Sequence, residues 1–581
     1  MSSNPFSSFT TSSNLAAQRP IDGLSQVKGL SMPELSTATI GELLDRAVQR
    51  DGDREAFVFL EHNVRWTWAQ FQLDVNKAAA GLLSIGIQRG DRVGIWSPNR
   101  PEWVLVQFAT AQIGAVMVNI NPAYRVSELE YALNKVGVKA LICAPGTKAS
   151  NYLAMLNEIA PEIEHSAAGR LVLKRVPKLE TIVHLSDERR PGVFTFRQLM
   201  DAAGPAQSVR LSIVSKSLKC HDAINIQFTS GTTGHPKAAT LSHHNVVNNA
   251  RFVANAMRLD PSDRLCVPVP LYHCFGMVLA VLACTTSGSC TVFPGESFEP
   301  GSTLAAVSSE RCTAIHGVPT MFVAMLGLAT FSQFDLSSLR TGIMAGAPCP
   351  IETMKRVVAD MHLPEITIAY GMTETSPVSF QSSIEDSIER RVSTVGRVQP
   401  HLEVKVVDDA GRVVPIGGKG ELWTKGYSVM RGYWGDDEKT RESIVDGWMR
   451  TGDLATIDVD GYCNIVGRSK DMLIRGGENV YPREVEEFLY GHPMISEVQV
   501  FGIPDSRYGE EICAWIVLKP GGKVSEEAIK EYCRGQIAHY KVPRYVRFVQ
   551  TLPMTVTGKA QKFVMRKAMI DELGLSDVRT A

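Results

Sequence analysis

The chain contains no C-x-x-C pair, and no cysteine–histidine group along it has metal-ligand spacing, which argues against a zinc ribbon, a zinc finger or a thioredoxin-like redox motif. Its 11 cysteines, an odd number, are scattered from Cys143 to Cys533. They read as reduced core or surface thiols in a reducing compartment. No apolar run reaches the roughly 20 residues of a membrane helix; the longest notable one, Cys274 to Cys284, is about half that. A net charge of -1 gives no global field to attract nucleic acid or an anionic membrane, although a local basic site for phosphates remains open. The N-terminus lacks the charged start and continuous apolar stretch of a secretory signal. Its first basic residue is Arg19 and its first acidic one Asp22. This Ser/Thr-rich opening reads as a disordered tail, with a transit peptide as the other reading. No internal repeat is evident.

What is present is an ordinary globular composition, 44% hydrophobic and 21% charged. A chain of 581 residues is too long for one hydrophobic core, so at least two domains are expected. Helix-like and strand-like segments alternate after the tail. Pro101 suits the first turn of a helix running to about Gln112. Ala115 to Ile120 and Ala140 to Cys143 read as buried strands. Ser127 and Glu130 form a capping-box pattern for the helix-like stretch Leu129 to Lys135. Such alternation implies α/β layers with largely parallel strands. The character changes in the last third, where Glu403 to Val407 and Gly420 to Thr424 read as strands around a turn. Beyond Arg468 a mixed segment follows: a helix over Pro482 to Tyr490, strands at Val498 to Phe501 and Ala514 to Leu518, and a helix from Ser525. The composition places a domain boundary near Gly467 to Asp471.

The segment Thr229, Ser230, Gly231, Thr232, Thr233, Gly234, His235, Pro236, Lys237 joins the strand-like Ala223 to Phe228 to a helix-like stretch from Ser242 to Met257. Loops at the carboxyl ends of strands are where open α/β sheets bind ligands. Two glycines let backbone N–H groups approach anionic oxygens, four hydroxyls add donors and Lys237 adds charge. The Walker pattern is absent. Taken alone, the segment reads equally as a polyphosphate loop or as a flexible polar loop.

This loop resembles the signature of the acyl-adenylate-forming superfamily, which includes acyl-CoA synthetases, firefly luciferase and the adenylation domains of peptide synthetases. Four more stretches match in the family's order: Tyr370 to Glu374, Thr451 to Asp453, Gly467 to Asp471 and Pro553 to Lys559. The resemblance runs from about Thr39 to Met569. Within the superfamily, His221 to Gly234, Gly467 to Pro482 and Gly509 to Ala514 look like the medium-chain acyl-CoA ligases of animals and their bacterial relatives. The implied fold is α/β: a large N-terminal adenylate-forming domain of layered sheets and helices, plus a small mobile C-terminal α+β domain. The implied division is a flexible tail over 1–38, a large ATP- and acyl-binding domain over 39–467, a hinge at 468–471 and a small domain over 472–581. One position departs from the family pattern. Ala238 stands where Gly is usual, and an alanine disfavours positive φ, which bears on loop geometry and ATP affinity.

The resemblance implies an activity and a set of roles. The expected reaction joins a carboxylic acid, by resemblance a medium-chain fatty acid, to coenzyme A through an acyl-adenylate, with ATP and Mg²⁺. Lys559 is expected to bridge the substrate carboxylate and the α-phosphate, Glu374 to face the magnesium ion and Thr373 to lie beside the phosphates. Asp453 and Arg468 are expected on the ribose. Gly346, Ala347 and Pro348 should pack on adenine, with Tyr370 and Gly371 on its other side. Lys470 matches the hinge. Gly476, Gly477 and Glu478, in the loop Arg475 to Asn479, should face the pantetheine arm after rotation. Tyr272 and His273 look like the acyl-tunnel segment; His273 is either a gate or a satisfied core histidine. Fatty acid, ATP and CoA are the expected small-molecule partners, with no nucleic acid and no transmembrane segment. The expected compartment is the cytoplasm, or the mitochondrion by resemblance. Competing readings are a ligase for aryl or other acids, a luciferase-like oxidase, a standalone carrier-loading adenylation domain, and a non-catalytic nucleotide-binding protein.

Overall fold

A computed structural model describes residues 18–147, 150–229, 236–347, 349, 351–468, 471–475, 478–505, 508–534, 536–555 and 558–575. The architecture is mixed α/β. Two large sheets carry most of the chain up to residue 433. The first has eight strands and includes Arg92–Trp96, Val116–Ile120, Ala140–Cys143 and Ala223–Thr229. The second has nine and includes Glu55–Phe59, Ala314–Gly317, Thr341–Ala345 and Glu365–Gly371. Central pairs in both are parallel, whereas Ala223–Thr229 with Lys237–Ser242, and Glu365–Gly371 with Val378–Gln381, are antiparallel. A strand buried on both faces reads as a continuous apolar run, and Ala140–Cys143 (A-L-I-C) is buried at every position. One continuous apolar cluster joins residues of both sheets to the helices Trp68–Ser84, Pro101–Ile113 and His243–Ala256. The apolar run from Cys274 folds as short helical turns with a π-helical segment, Met277–Leu282, wholly buried in that core. Among the described residues no helix is long and apolar enough to cross a membrane.

A six-stranded sheet follows, built from Leu402–Val407, Gly420–Gly426, Trp448–Ile457 and Cys463–Arg468. Its first member comes from the N-terminal stretch: Gln26–Lys28 pairs antiparallel with Leu402–Val407, and Val27 is fully buried. The segment expected as a tail up to residue 38 therefore contributes a strand, because Q-V-K alternates one apolar side chain inward between two polar ones. Residues 473–573 then build a smaller α+β unit. The strands Ile495–Asp505, Gly509–Leu518, Leu473–Arg475, Glu478–Val480 and Tyr545–Phe548 form its sheet, covered by Pro482–Tyr490, Glu526–Cys533 and Lys562–Leu573. Its two apolar clusters contain only residues of this unit.

Three local expectations change. The helix expected from Leu129 starts earlier, as Val126–Val136, and its entry is held by the Glu128 carboxylate accepting the Arg125 N–H at 2.9 Å. The Ser127–Glu130 capping box therefore lies within the helix, shifted by two residues. Between the phosphate-loop segment and the helix expected from Ser242 the chain forms a strand, Lys237–Ser242, and the helix itself begins at His243. The loop expected over Arg475 to Asn479 includes parts of two paired strands. Nine of the eleven cysteines are buried free thiols and two, Cys220 and Cys349, are half-buried. Metal-ligand spacing is absent along the chain but not in space: Cys220, His221 and His244 lie together.

Candidate active site

The site gathers where the two large sheets present strand ends. Ala223–Thr229 ends at Thr229, which stands opposite Lys237 in register, so the hairpin closes directly around the phosphate-loop segment. Ser230 to His235 lie outside the described residues, as do Pro348, Lys470, Gly476 and Gly477. Lys237–Ser242 pairs on its other edge with Gly432–Tyr433, which sets Tyr433 beside Lys237. In the second sheet, Glu365–Gly371 delivers Tyr370 at its carboxyl end and then turns through Thr373–Thr375. Gly371 is required here, since a Cβ would lie 1.7 Å from the Pro377 carbonyl oxygen. The Met430 N–H donates to the Glu374 carbonyl at 2.9 Å and ties this turn to the segment leading to Tyr433.

Glu374 is 4% exposed. A carboxylate that deep requires donors, and two converge on its Oε1: the Thr229 hydroxyl and the Tyr433 phenol, each at 3.0 Å. Lys237 Nζ donates to the Tyr433 oxygen at 3.1 Å and sits over its ring at 4.6 Å. Burial and the Glu374 charge push the Tyr433 phenol far up, so it stays a protonated donor. Tyr433 was not singled out from the sequence; its only signal was an aromatic in the Gly432-Tyr433-Trp434 run.

A second group forms around Asp453, on the strand Trp448–Ile457. The Tyr370 hydroxyl donates to Oδ2, and the Arg468 guanidinium lies 3.3 Å from Oδ1. Burial raises the Asp453 carboxyl above its ordinary value, while Arg468, the Tyr370 hydrogen bond and Lys559 oppose that rise. Tyr370 is thus turned toward Asp453 and packs at 6.2 Å from Phe380. Gly346, at φ +90°, follows the strand Thr341–Ala345, with Ala347 next to it.

Lys559 comes from the smaller unit. It follows Gly558, whose φ is +73° and whose Cβ position lies 2.8 Å from Val318 of the larger part. The lysine is exposed by its accessible surface, although many protein atoms lie around it. Desolvation and Arg468 lower its pKa below the ordinary 10.5, while Glu374, Asp453 and Cys274 push it back up. Other contacts between the larger part and the smaller unit include Lys419 with Glu484 at 3.6 Å, Lys419 over the Tyr481 ring, and Arg483 donating to the Ile465 carbonyl.

Beside these groups lies a small cavity lined by Asn119, Tyr124, Gln227, Tyr272, His273 and Thr373, among others. Its floor is a buried polar chain. Gln227 donates to Asn225 at 2.9 Å, Asn225 to Asn119 at 2.8 Å, and Asn119 to the Tyr272 carbonyl at 2.8 Å. The Cys274 thiol donates to Gln227 at 3.3 Å. Such a network, once satisfied, holds the wall in one arrangement. His273 Nδ1 accepts the Phe275 N–H at 3.1 Å, so this ring caps the turn that follows it. Burial first, then Lys559, push His273 down to about 3, which keeps it neutral.

Of the expected residues, Thr229, Lys237 and Glu374 form one group and Tyr370, Asp453 and Arg468 a second, with Lys559 within the electrostatic reach of both and Thr373, His273 and Tyr272 on the side cavity; Pro236 is seen only accepting from the Tyr131 hydroxyl. Glu478 does not join them; it is exposed on the hairpin Leu473–Arg475/Glu478–Val480. Arg475 of that hairpin is held within the smaller unit by Glu511, at 2.8 and 3.0 Å, and by the Tyr540 carbonyl. Ala238 departs from expectation in a simple way. It lies in extended strand opposite Phe228, is fully buried and accepts the Trp434 N–H through its carbonyl at 2.8 Å. No positive φ is asked of it, so the methyl group carries no backbone strain there.

This arrangement matches known sequence profiles. The profile described as AMP-binding enzyme covers residues 44–434, and that described as AMP-binding enzyme C-terminal domain covers 484–559. The chain belongs to the AMP-binding enzyme family. Among the family's curated members, it is 49% identical to the mitochondrial medium-chain acyl-CoA ligase ACSF2 of Danio rerio, covering 95% of this chain and 91% of that one. It is 48% identical to the putative acyl-CoA synthetase YngI of Bacillus subtilis (strain 168), covering 94% and 100%. Among solved AMP-binding structures, the anthranilate CoA ligase AuaEII in complex with anthranoyl-AMP aligns with a TM-score of 0.81 at 28% identity, over 94% of this chain and 99% of that one. ATP-bound MatB from Rhodopseudomonas palustris aligns at 0.78 and 29%, over 92% and 100%.

Proposed function

We propose that this protein is an ATP-dependent acid–thiol ligase that converts a medium-chain fatty acid to an acyl-adenylate and then to an acyl-CoA thioester, releasing pyrophosphate and AMP. The observation that carries the reading is the approach of Lys559, from the smaller unit, to the cleft holding Glu374 and Asp453. Adenylation brings a carboxylate against the α-phosphate, so two anions must meet. A cation between them and aligned donors around them do more for that step than a nucleophile would. Lys559 supplies the cation as a compact charge on a long stem. Asp453 accepts the ribose hydroxyls, Arg468 adds a ribose contact, Tyr370 covers the adenine, and the hairpin bracketed by Thr229 and Lys237 holds the phosphates.

Glu374 fits a magnesium ion in chemistry. It is a buried hard-oxygen donor beside the phosphate loop, and Mg²⁺ is commonly held by one or two carboxylates plus phosphate oxygens. The bound ion would neutralise phosphate charge; Thr229 and Tyr433 orient the carboxylate that holds it. The thiol of CoA must reach the acyl carbonyl after adenylation, and Lys559 stands in the way. We therefore assign a domain boundary and a hinge to residues 468–471, about which the unit from 472 onward turns to bring the Glu478 hairpin to the cleft. Separate apolar clusters in the two parts and a sparse polar seam between them support this. The animal relatives' names favour a mitochondrial location over a cytoplasmic one.

A panel of acids from acetate to palmitate, with benzoate and anthranilate, incubated with ATP, Mg²⁺ and CoA, tests the reading by thioester formation. The highest kcat/KM is expected on medium-chain acids. Preference for anthranilate or benzoate would replace the substrate with an aryl acid, as the likeness to AuaEII allows. Pyrophosphate release without thioester would remove the CoA step.

A further inference from the structure

We propose that Cys220, His221 and His244 form a binding site for a thiophilic divalent cation, with Zn²⁺ as the ion its donors suit. The three side chains each offer one ligand atom, and those atoms lie within 4.8 Å of one another. A tetrahedral zinc ion, with bonds of about 2.0 Å to nitrogen and about 2.3 Å to sulfur, sets two nitrogens and one sulfur about 3.3–3.5 Å apart. Torsions of the exposed His221 and half-buried Cys220 side chains close that difference.

The surroundings prepare the ligands. His244 Nδ1 lies 3.2 Å from the Ser36 carbonyl oxygen. The Asn248 side-chain amide donates to the same oxygen at 3.0 Å and lies 3.3 Å from Nδ1, so the Nδ1 edge of the ring is held within the protein and the Nε2 edge is the one left for a metal. The ring is further fixed by its place in the first turn of His243–Ala256, whose Ser242–Asn245 capping box is complete. The His244 N–H donates to the Cys220 carbonyl at 2.7 Å, which pins the cysteine against that turn. The His221 and His244 ring centroids lie 4.6 Å apart, with the rings tilted by 51°.

The donors are one sulfur and two nitrogens, so the site differs in kind from the oxygen donors at Glu374 and selects against Mg²⁺. Binding is not a redox step: the Cys220 thiol releases a proton to solvent and its sulfur lone pair, with one from each imidazole, forms the bonds. The charges around it are defined. Arg431 donates to the His221 carbonyl, while Asp222 is occupied by Arg89 at 2.7 Å and the Lys219 N–H at 2.9 Å. The thiolate formed on binding offsets the nearby guanidinium. A water completes the coordination. The site lies at the end of the hairpin where Ala223 faces Ser242, opposite the end where Thr229 faces Lys237, so the ion clamps the base of the hairpin that carries the phosphate loop.

The test is a titration of the full-length, tag-free, reduced protein with Co²⁺ alone, followed by optical absorption. A single equivalent should give a thiolate-to-cobalt charge-transfer band that Zn²⁺ displaces. Cys220→Ser should abolish the band, and His221→Gln or His244→Ala should weaken binding by about tenfold or more. Cys349→Ser, at the other half-buried thiol, should leave the band in place. Zn²⁺ should raise the melting temperature of the wild type and not that of His221→Gln. A band that survives Cys220→Ser, or no Co²⁺ uptake by the wild type, overturns the proposal. If His244→Ala does not fold, the exposed His221 position carries the same test: unchanged Co²⁺ affinity in His221→Gln also overturns it.

Discussion

The wall around Glu374 and the segment that carries Lys559 are built on different principles. Glu374 is buried and bound by two hydroxyl donors from two further strands, and its own turn is tied by a backbone hydrogen bond to the segment leading to one of them. Both donors there sit on strands, and the turn that carries Glu374 follows directly from a third. Lys559 follows a left-handed glycine on a unit with its own apolar clusters, and it meets the larger part through a few polar contacts and the Gly558–Val318 approach. The difference teaches how one cleft can serve two half-reactions. On the proposed function, groups needed throughout belong to the sheet-bound wall, and the group needed once is carried by the smaller unit.

The largest effect should come from removing the delivered charge. Lys559→Ala is expected to slow acyl-adenylate formation by roughly 10²–10³, measured by pyrophosphate release. The same variant, given synthetic acyl-adenylate and CoA, should form thioester at near the wild-type rate. Equal losses in both half-reactions would dissolve the contrast drawn here, unless circular dichroism shows the smaller unit unfolded.

Next come the fixed acceptors. On the proposed assignment, Asp453→Ala leaves ribose hydroxyls without a charged partner, a hydrogen bond contribution of about 1.5–3 kcal/mol. ATP affinity should fall by roughly one to two orders of magnitude while fatty-acid affinity changes little; isothermal titration of each substrate decides, and equal losses would reject the assignment. Tyr433→Phe removes one of the two donors to the buried Glu374 carboxylate. It should cost stability of about 1.5–3 kcal/mol in a denaturant melt and weaken Mg²⁺ dependence, since the wall is assigned to hold the ion. A variant that melts like the wild type would show that Glu374 has other support.

The pH dependence sharpens the comparison further. Lys559 must be protonated to bridge two anions, and desolvation with Arg468 lowers its pKa below 10.5. Adenylation should therefore fall on a basic limb as pH rises through that lowered value, while thiol attack on supplied acyl-adenylate should not share the limb. In Lys559→Arg the limb should vanish from the accessible range, because a guanidinium stays charged. The smallest effect is expected at Ala238→Gly. Its extended backbone gains nothing from glycine, so stability should fall by roughly 0.5–1 kcal/mol with ATP KM unchanged. A clear drop in KM would mean that the methyl group restrains the loop.

Much of the core was legible because its code is local. Ala140 to Cys143, Pro101 onward and Pro482–Tyr490 carry their element in their own pattern of apolar residues, proline and length. Glu374, Asp453 and Lys559 stood out only through short motifs in a fixed order. What was missed lies where partners come from far along the chain. Lys237–Ser242 has little strand propensity of its own, and becomes a strand because Ala223–Thr229 and Gly432–Tyr433 offer ladders on both sides. Tyr433 gains its role from Glu374, 59 residues away in sequence. The Asn119–Asn225–Gln227 chain joins two neighbouring strands that the sequence separates by more than a hundred residues.

By itself, then, the sequence determined the α/β layering, the family and the residue types able to manage phosphate and carboxylate charge, because periodicity and motif order are properties of neighbouring residues. Tertiary structure alone decided which of those groups face one another. It turned Tyr370 toward Asp453, made Ala238 an unstrained strand residue, and brought Cys220 and His221 beside His244. Each outcome depends on strand pairing and helix entry that bury or expose a side chain, and burial is a property of the whole packed chain, not of any segment of it.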